Sequence, residues 1–476
     1  MKHLLIAGGV LVILLQLGGL MWSSYEDTAK GAFKKLIEPP PRTISNPYEN
    51  GYFYLFGLTT GAAFDPVKTG YEIWVEESGG AHPGSIVADK SSRSRLSLEI
   101  SLESTAESWN ATDPLALFRK KGIARPSPAS PHHTILLTRY DQWLGLPFED
   151  WGFGRRIAAL NREIMATHRL YIAEGFAHGT TAGIERFRKE LFFWRMVLRE
   201  AKTISTKVLA QVVITDDVQL LSNMLANPSA DQKLLTMGMQ LTLPLSESDY
   251  SLRWPVGHQL SLAVADARTG RLRSDQPGGP SNAEENWLIS AANLPPRAFD
   301  TIEHPADHSR LGGTLTSAKT WESYEAFYTA LIEASENRAT RLPRMQAFTD
   351  TNHRGILEGL FDAAPLEPGW DLFHRLLIET DTKLRLASLQ IQLRQFHSHM
   401  PVPTRLAQVG SEYFDPFTGL PMLWSPTQRK VYSVGPDRLD DGGDSTFDIS
   451  VPAIVSQSPV STQASATGLR AGPSRK

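Results

Sequence analysis

Four aspartates within eight residues form the densest group of potential metal ligands in the sequence. Asp437, Asp440, Asp441 and Asp444 lie on a loop that also carries a pair of glycines. Carboxylates at this density repel one another unless water solvates them or a cation binds them, and calcium prefers such hard oxygen ligands. The spacing therefore predicts either a calcium site, which needs about six to eight oxygens, or a solvated acidic turn.

A second group of potential ligands is His304, Asp307 and His308. On a helix the two histidines would share a face, because they are four positions apart, and one metal ion could bind both imidazoles. Pro305 and a glycine pair that follows favour a polar loop instead. The same three residues are the candidate donors of a hydrolase whose catalytic groups are dispersed along the chain.

The common catalytic signatures are absent from the sequence. It contains no GxxxxGK[ST] phosphate-binding loop, no HExxH zinc motif and no GxSxG nucleophile elbow. The absence of cysteine excludes thiolate metal sites, iron–sulfur clusters and cysteine nucleophiles. A net charge of −3 excludes a strongly basic nucleic-acid-binding surface over the whole chain. These absences favour a binding protein over an enzyme.

The C-terminal segment resembles the periplasmic end of the major pseudopilins of type II secretion. Those proteins carry a DP-x-x-G-x-P turn, which Asp415, Pro416, Gly419 and Pro421 match, and a YS-x-G-x-D…GG…DI loop. The residues that match the loop are Tyr432, Ser433, Gly435, Asp437, Gly442, Gly443, Asp448 and Ile449. The resemblance implies that the loop binds calcium. The N-terminus lacks the prepilin-peptidase site, so we do not expect a pilin subunit.

More of the chain resembles a group of uncharacterised inner-membrane proteins of Gram-negative bacteria. The resemblance rests on five short motifs, which are Asn46–Asn50, Leu137–Tyr140, His168–Tyr171, Phe193–Leu198 and Arg385–Leu389. It implies an anchored protein of the cell envelope and brings no known activity.

An apolar segment at the N-terminus predicts a membrane anchor. Leu4–Trp22 contains one polar side chain, Gln16, and no charge, and as a helix it would span about 28 Å. The alternative is a cleaved signal peptide, but no small-x-small cleavage site precedes Ser23. We therefore expect an uncleaved signal-anchor, with a single pass through the cell inner membrane. Lysines lie on both sides of the segment, so the periplasmic location of the body follows from the resemblance.

The composition is that of a globular protein, with 41% apolar and 21% charged residues in 476. Apolar periodicity predicts a mainly α fold, in which a helical bundle carries a small C-terminal cap of strands and turns. The predicted regions are a membrane anchor (1–22), a mixed aromatic-rich region (23–133), a helical region (134–228), an irregular, β-containing connection (229–314), a second helical region (315–400), the cap (401–452) and a flexible tail (453–476).

Particular spacings support this arrangement. Apolar stripes on both sides of Gly175 and Gly179 predict a helical hairpin, and no 34-residue repeat indicates a peptide-binding solenoid. The strongest prediction is a helix over Trp370–Phe396, and a further helix is expected over Trp321–Arg338. Apolar and polar residues alternate over Gln259–Val264, and this pattern favours a strand within the predicted β-containing connection.

The aromatic run at Tyr52, Phe53, Tyr54 and Phe56, with Tyr71 and Trp74, predicts either buried core or a ligand groove.

Together, the sequence features described above predict a membrane-anchored scaffold that binds a protein partner in the envelope. The alternative is an envelope hydrolase.

Overall fold

The computed structural model describes residues 32–78, 96, 109, 111, 113–120, 131–155, 159–227, 232–269, 329, 331–337, 369–395 and 399–452. These residues are mainly helical and include one small three-stranded sheet, which confirms the predicted fold class in outline. The predicted anchor Leu4–Trp22 and the tail lie outside the described residues.

The helices in the described residues are α1 (Ala32–Ile37), α2 (Tyr54–Gly57), α3 (Pro66–Ser78), α4 (Pro114–Lys120), α5 (Pro131–Trp143), α6 (Asn161–His178), α7 (Thr180–Glu200), α8 (Ile204–Ala226), α9 (Gln232–Leu241), α10 (Glu247–Tyr250), α11 (Arg253–Thr269), α12 (Gly369–Gln395) and α13 (Val402–Gln408). The strands are β1 (Leu423–Ser425), β2 (Lys430–Ser433) and β3 (Ile449–Pro452). Residues 331–336 are also helical, within the helix predicted over Trp321–Arg338.

Helices α6, α7 and α8 form the centre of the helical body, each packed against the next along the chain. Gly179 links α6 to α7 with a φ of 141°, a conformation that favours glycine, as the sequence predicts. The prediction that Gly175 also ends a helix is wrong, because this residue lies inside α6. An added Cβ there would lie 3.1 Å from the Cα of Gly183, so both glycines permit a close approach of α6 and α7.

Helix α12 confirms the strongest helical prediction and is buried along most of its length. Its Phe373 and Ile391 join the main hydrophobic core, where α8 and α9 pack against it. Its Leu386, Leu389 and Leu393 belong to a second, smaller core beneath the sheet. Helix α12 therefore connects the helical body to the C-terminal cap.

The cap is an antiparallel sheet in the order β1-β2-β3, with Leu423 opposite Tyr432 and Val431 opposite Val451. The predicted turn before it forms, because the carbonyl of Asp415 accepts a hydrogen bond from Gly419 N at 2.7 Å. Gly419 has a φ of 73°, which side chains with a Cβ resist.

Two local predictions differ from the structure. The alternation at Gln259–Val264 favours a strand, but these residues lie in helix α11. A short alternating stretch cannot determine its own secondary structure, because packing of the whole element decides between helix and strand. Within the predicted helical region (134–228), the described residues outside helices are 144–155 and 159–160 between α5 and α6, Gly179 between α6 and α7, 201–203 between α7 and α8, and Asn227 after α8.

Candidate functional site

The four aspartates of the predicted calcium loop are all exposed and accept local hydrogen bonds. Asp437 accepts from Leu439 N at 3.1 Å, and Asp444 accepts from Thr446 N at 2.9 Å. Asp440 accepts from Gly442 N at 2.9 Å and from the hydroxyl of Tyr432 at 2.9 Å. Asp441 is exposed next to them. The loop is thus folded by its own turns, and calcium binding stays a prediction.

Asp448 adds a buried carboxylate to this loop. Its Oδ2 accepts a hydrogen bond from Gly443 N at 2.7 Å, while its Oδ1 is buried without a hydrogen-bond partner. Burial raises the pKa of Asp448, and the charges of Asp441 and Asp440 raise it further. The sequence indicates this residue only through the pseudopilin resemblance.

The other predicted sites divide into two kinds. His304, Asp307 and His308 lie outside the described residues. The aromatic run is core, as Tyr52, Phe53, Tyr54, Phe56 and Trp74 are all buried. Rings of this group meet edge to face, for example Phe53 against Trp74 with centroids 5.7 Å apart, and such pairs stabilise a core beyond the area that they bury.

A buried cluster of ionisable side chains lies between the central helices. His168 on α6, Glu190 on α7 and Asp217 on α8 have no solvent exposure. One potential ligand atom from each lies within 4.8 Å of those of the other two. Among the described residues, this is the one place where three side chains of histidine, aspartate or glutamate converge so closely.

Hydrogen bonds fix the position of the His168 ring. Its Nδ1 lies 2.8 Å from Glu190 Oε1, and its Nε2 lies 3.1 Å from Asp216 Oδ2. Arg169 forms a bidentate ion pair with Asp216, with N–O distances of 2.8 and 2.7 Å. The hydroxyl of Tyr140 donates to Glu190 Oε1.

Three carboxylate oxygens of the cluster are buried without a hydrogen-bond partner. These are Oε2 of Glu190 and both side-chain oxygens of Asp217. Buried polar atoms in folded proteins are nearly always hydrogen-bonded, because an unpaired one loses its hydration and gains nothing in return. The three oxygens therefore require a proton or a cation.

The pKa shifts agree with that requirement. Burial acts to lower the pKa of His168, but Glu190 and Asp216 outweigh it and raise the value to about 10. Burial raises the pKa of Asp217 well above its usual range, and Glu190 adds to the effect. Burial acts in the same direction on Asp216, but His168 and Arg169 outweigh it and lower the pKa of that carboxyl.

Carboxylates and an aromatic ring surround the His168 side chain. Both nitrogens of His168 have carboxylate neighbours, so any ligand of the ring has to displace one of these contacts. The ring of Trp109 lies against His168 with centroids 5.6 Å apart, and its Nε1 donates to the carbonyl of Asp216 at 3.0 Å. Trp109 therefore covers one side of the cluster.

This cluster is not among the predicted sites, although the sequence contains a signal for it. Glu190 lies three positions after Phe187 and four before Trp194, on the apolar stripe of α7. Asp217 lies three positions after Ile214, on a helix with an apolar face. A carboxylate in such a core position is rare unless it is paired or binds a metal.

Comparison with protein-family models, curated proteins and solved structures finds no match to this chain. The resemblance to pseudopilins and to inner-membrane proteins therefore rests on the sequence motifs alone. Within the described residues, no helix has the length and apolar character of a membrane span.

Proposed function

We propose that the protein is a non-catalytic scaffold of the cell inner membrane, anchored by Leu4–Trp22, whose periplasmic body binds a protein partner through the C-terminal cap. The observation that carries this proposal is a group of exposed apolar side chains on the cap. Leu420, Leu439 and Phe447 are 63%, 65% and 56% exposed. Contiguous exposed apolar patches are typical of protein interaction sites, and we propose that these three side chains form one such patch.

The charge of the cap defines the chemistry of the partner. Residues 435–447 carry four exposed aspartates and one arginine, Arg438, and therefore a formal charge of −3. A partner segment with lysine or arginine beside apolar side chains complements both features. Local hydrogen bonds already order the turns of this loop. Binding of a partner therefore costs little additional conformational entropy in the loop.

A photo-crosslinking amino acid in the full-length, membrane-bound protein tests the proposal. Placed at Leu439 or Phe447, it should give an adduct of one defined mass, whose partner peptide carries lysine or arginine. Phe192 on α7 is 73% exposed and provides the matched control position, where we expect no such adduct. The double change Asp440→Lys with Asp441→Lys should abolish the adduct at Phe447. An equal yield at Phe192, or an adduct that survives the charge reversal, would contradict the proposal.

Calcium is the second candidate ligand of the cap, and the buried Oδ1 of Asp448 favours it. The same crosslinking in millimolar calcium and in chelator separates the two roles, because a bound calcium ion neutralises the charge that attracts a basic partner. Calcium that raises the melting temperature of the wild type, but not of Asp437→Ala with Asp441→Ala, would support a metal-binding loop. Equal melting temperatures would leave the solvated acidic turn.

The alternative function, an envelope hydrolase, has no support from the described residues. Its candidate donors lie outside them, and the one described histidine between carboxylates is buried with both nitrogens engaged.

A further inference from the structure

The enclosed cluster of His168, Glu190 and Asp217 brings together potential ligand atoms for one metal ion from three side chains. The ring nitrogen Nδ1 of His168, Oε2 of Glu190 and the two side-chain oxygens of Asp217 provide four donors. The three carboxylate oxygens have no other partner. A tetrahedral site for a divalent ion such as zinc uses about four donors of nitrogen, oxygen or sulfur.

The distances suit a shared ion. His168 Nδ1 lies 2.8 Å from Glu190 Oε1, and a ligand atom of Asp217 lies within 4.8 Å of both residues. Two ligand atoms that are each about 2.1 Å from one ion are about 3.4 Å apart in a tetrahedral site. Binding of one ion therefore requires side-chain rotations that shorten separations of up to 4.8 Å to about that distance.

One divalent cation can replace two protons of the cluster, one on His168 and one on Asp217, without changing its net charge. Arg169 pairs with Asp216 and offsets its charge. With His168 neutral, Glu190 and Asp217 contribute two further negative charges in a region with no solvent exposure. Isolated charges in such surroundings are very costly, so a cation or two protons must be present.

Asp216 supplies the supporting contact that is typical of a metal-binding histidine. Its Oδ2 accepts the Nε2–H of His168 at 3.1 Å, and a metal ion would replace the proton that Nδ1 shares with Glu190 Oε1 at 2.8 Å. A histidine nitrogen beside carboxylates favours first-row transition metals, because calcium and magnesium prefer sites built of oxygen alone.

We infer that His168, Glu190 and Asp217 bind one divalent transition-metal ion, which joins helices α6, α7 and α8 inside the body. The ion has a structural role, since its ligands come from three successive helices and none is exposed. This inference is independent of the partner that the cap binds.

Metal analysis of the full-length protein, purified in detergent, is the first test. The protein is unfolded in chelator and refolded with zinc or with cobalt as the added metal. We expect about one ion per chain, a higher melting temperature with zinc, and visible absorption of bound cobalt. A wild-type protein that refolds without taking up either metal would overturn the inference and leave protons as the occupants.

Variants locate the ion. Asp217→Asn and Glu190→Gln keep the size of each side chain but remove a ligand charge, and we expect each to weaken zinc binding at least about tenfold. Asp381→Asn is the matched control, because Asp381 is an equally buried carboxylate on α12 outside the cluster. It should lower stability and keep the metal. Full zinc binding by both Asp217→Asn and Glu190→Gln, or loss of zinc from Asp381→Asn alone, would refute the assignment.

Discussion

At the scale of single residues, Lys207 is a buried amine whose titration should be visible in the stability of the protein. It is 1% exposed, and its Nζ donates to the carbonyl of Leu198 near the end of α7 at 3.0 Å. Burial lowers its pKa from 10.5 to about 8, against the opposing charges of Asp249 and Glu200. Between these two values the folded state binds fewer protons than the unfolded state, so stability rises with pH.

We expect the free energy of unfolding to gain about 3 kcal/mol from Lys207 between pH 8 and pH 10.5. Urea unfolding across this range measures it as the difference between the wild type and Lys207→Met, because the variant loses only this contribution. Lys189→Met is the control, since Lys189 is partly exposed and pairs with Asp141. It should keep the wild-type rise. Identical pH profiles for the wild type and Lys207→Met would contradict the prediction.

The central cluster illustrates what residue patterns predict and what they omit. A polar residue within an apolar stripe marks Glu190 and Asp217 as unusual, and this can be read from the sequence. Their meeting with His168 cannot, because it depends on how three helices pack and on the close approach at Gly175 and Gly183. The C-terminal turn is the opposite case, since Asp415 and Gly419 determine it within five residues.

At the scale of elements, Arg385 connects α12 to the cap, and its partner Asp381 connects α12 to α10. Its Nη2 lies 2.5 Å from Asp381 Oδ2, and its Nη1 donates to the carbonyl of Phe414 at 2.6 Å. Asp381 also accepts from the hydroxyl of Tyr250 at 2.8 Å. The ion pair is almost fully buried, so removal of one partner leaves an uncompensated charge in the interior.

We expect Arg385→Ala to lower the free energy of unfolding by about 3–5 kcal/mol. Hydrogen exchange should also become faster in β1 and β2, because the cap loses its link to α12. Arg375→Ala tests the same helix without this link: Arg375 is 45% exposed and pairs with Glu379 on α12 itself. Its effect should stay within about 0.5 kcal/mol. A similar decrease in the free energy of unfolding in Arg385→Ala and Arg375→Ala would show that the buried ion pair does not hold the cap.

Elements in which apolar residues recur regularly over many residues are predicted well from the sequence, whereas short elements are not. Helix α12 extends over 27 residues, and its apolar spacing identifies it without further information. The sequence does not show that one side of this helix packs under a sheet, because leucines such as Leu386 and Leu389 fit either core equally well. The six residues at 259–264 show the limit, since an alternating pattern of that length fits both a strand and a helix.

At the scale of the whole molecule, the segment that follows the predicted anchor is tied to the body at two places. Helix α1 packs against α11 so closely that a Cβ on Gly257 would lie 2.3 Å from the carbonyl oxygen of Leu36. Further along, Glu149 accepts hydrogen bonds from the backbone of Thr43 and Ile44 and pairs with Lys202 at 3.1 Å. Residues 23–31 can span at most about 30 Å, so a retained anchor places the body directly at the membrane surface.

We therefore expect the mature protein in membranes to keep residues 1–22 and to require detergent for release. Intact mass measurement of the purified chain tests this, because removal of a signal peptide would give a chain that starts near Ser23. The double change Leu20→Ala with Trp22→Ala provides the control, since it creates the missing small-x-small site directly before Ser23. Cleavage of that variant alone, with release of its body from the membrane, would show that the wild-type segment reaches the peptidase and stays intact because it lacks the site. A wild-type chain that already starts near Ser23 would instead make Leu4–Trp22 a signal peptide and the body a free periplasmic protein.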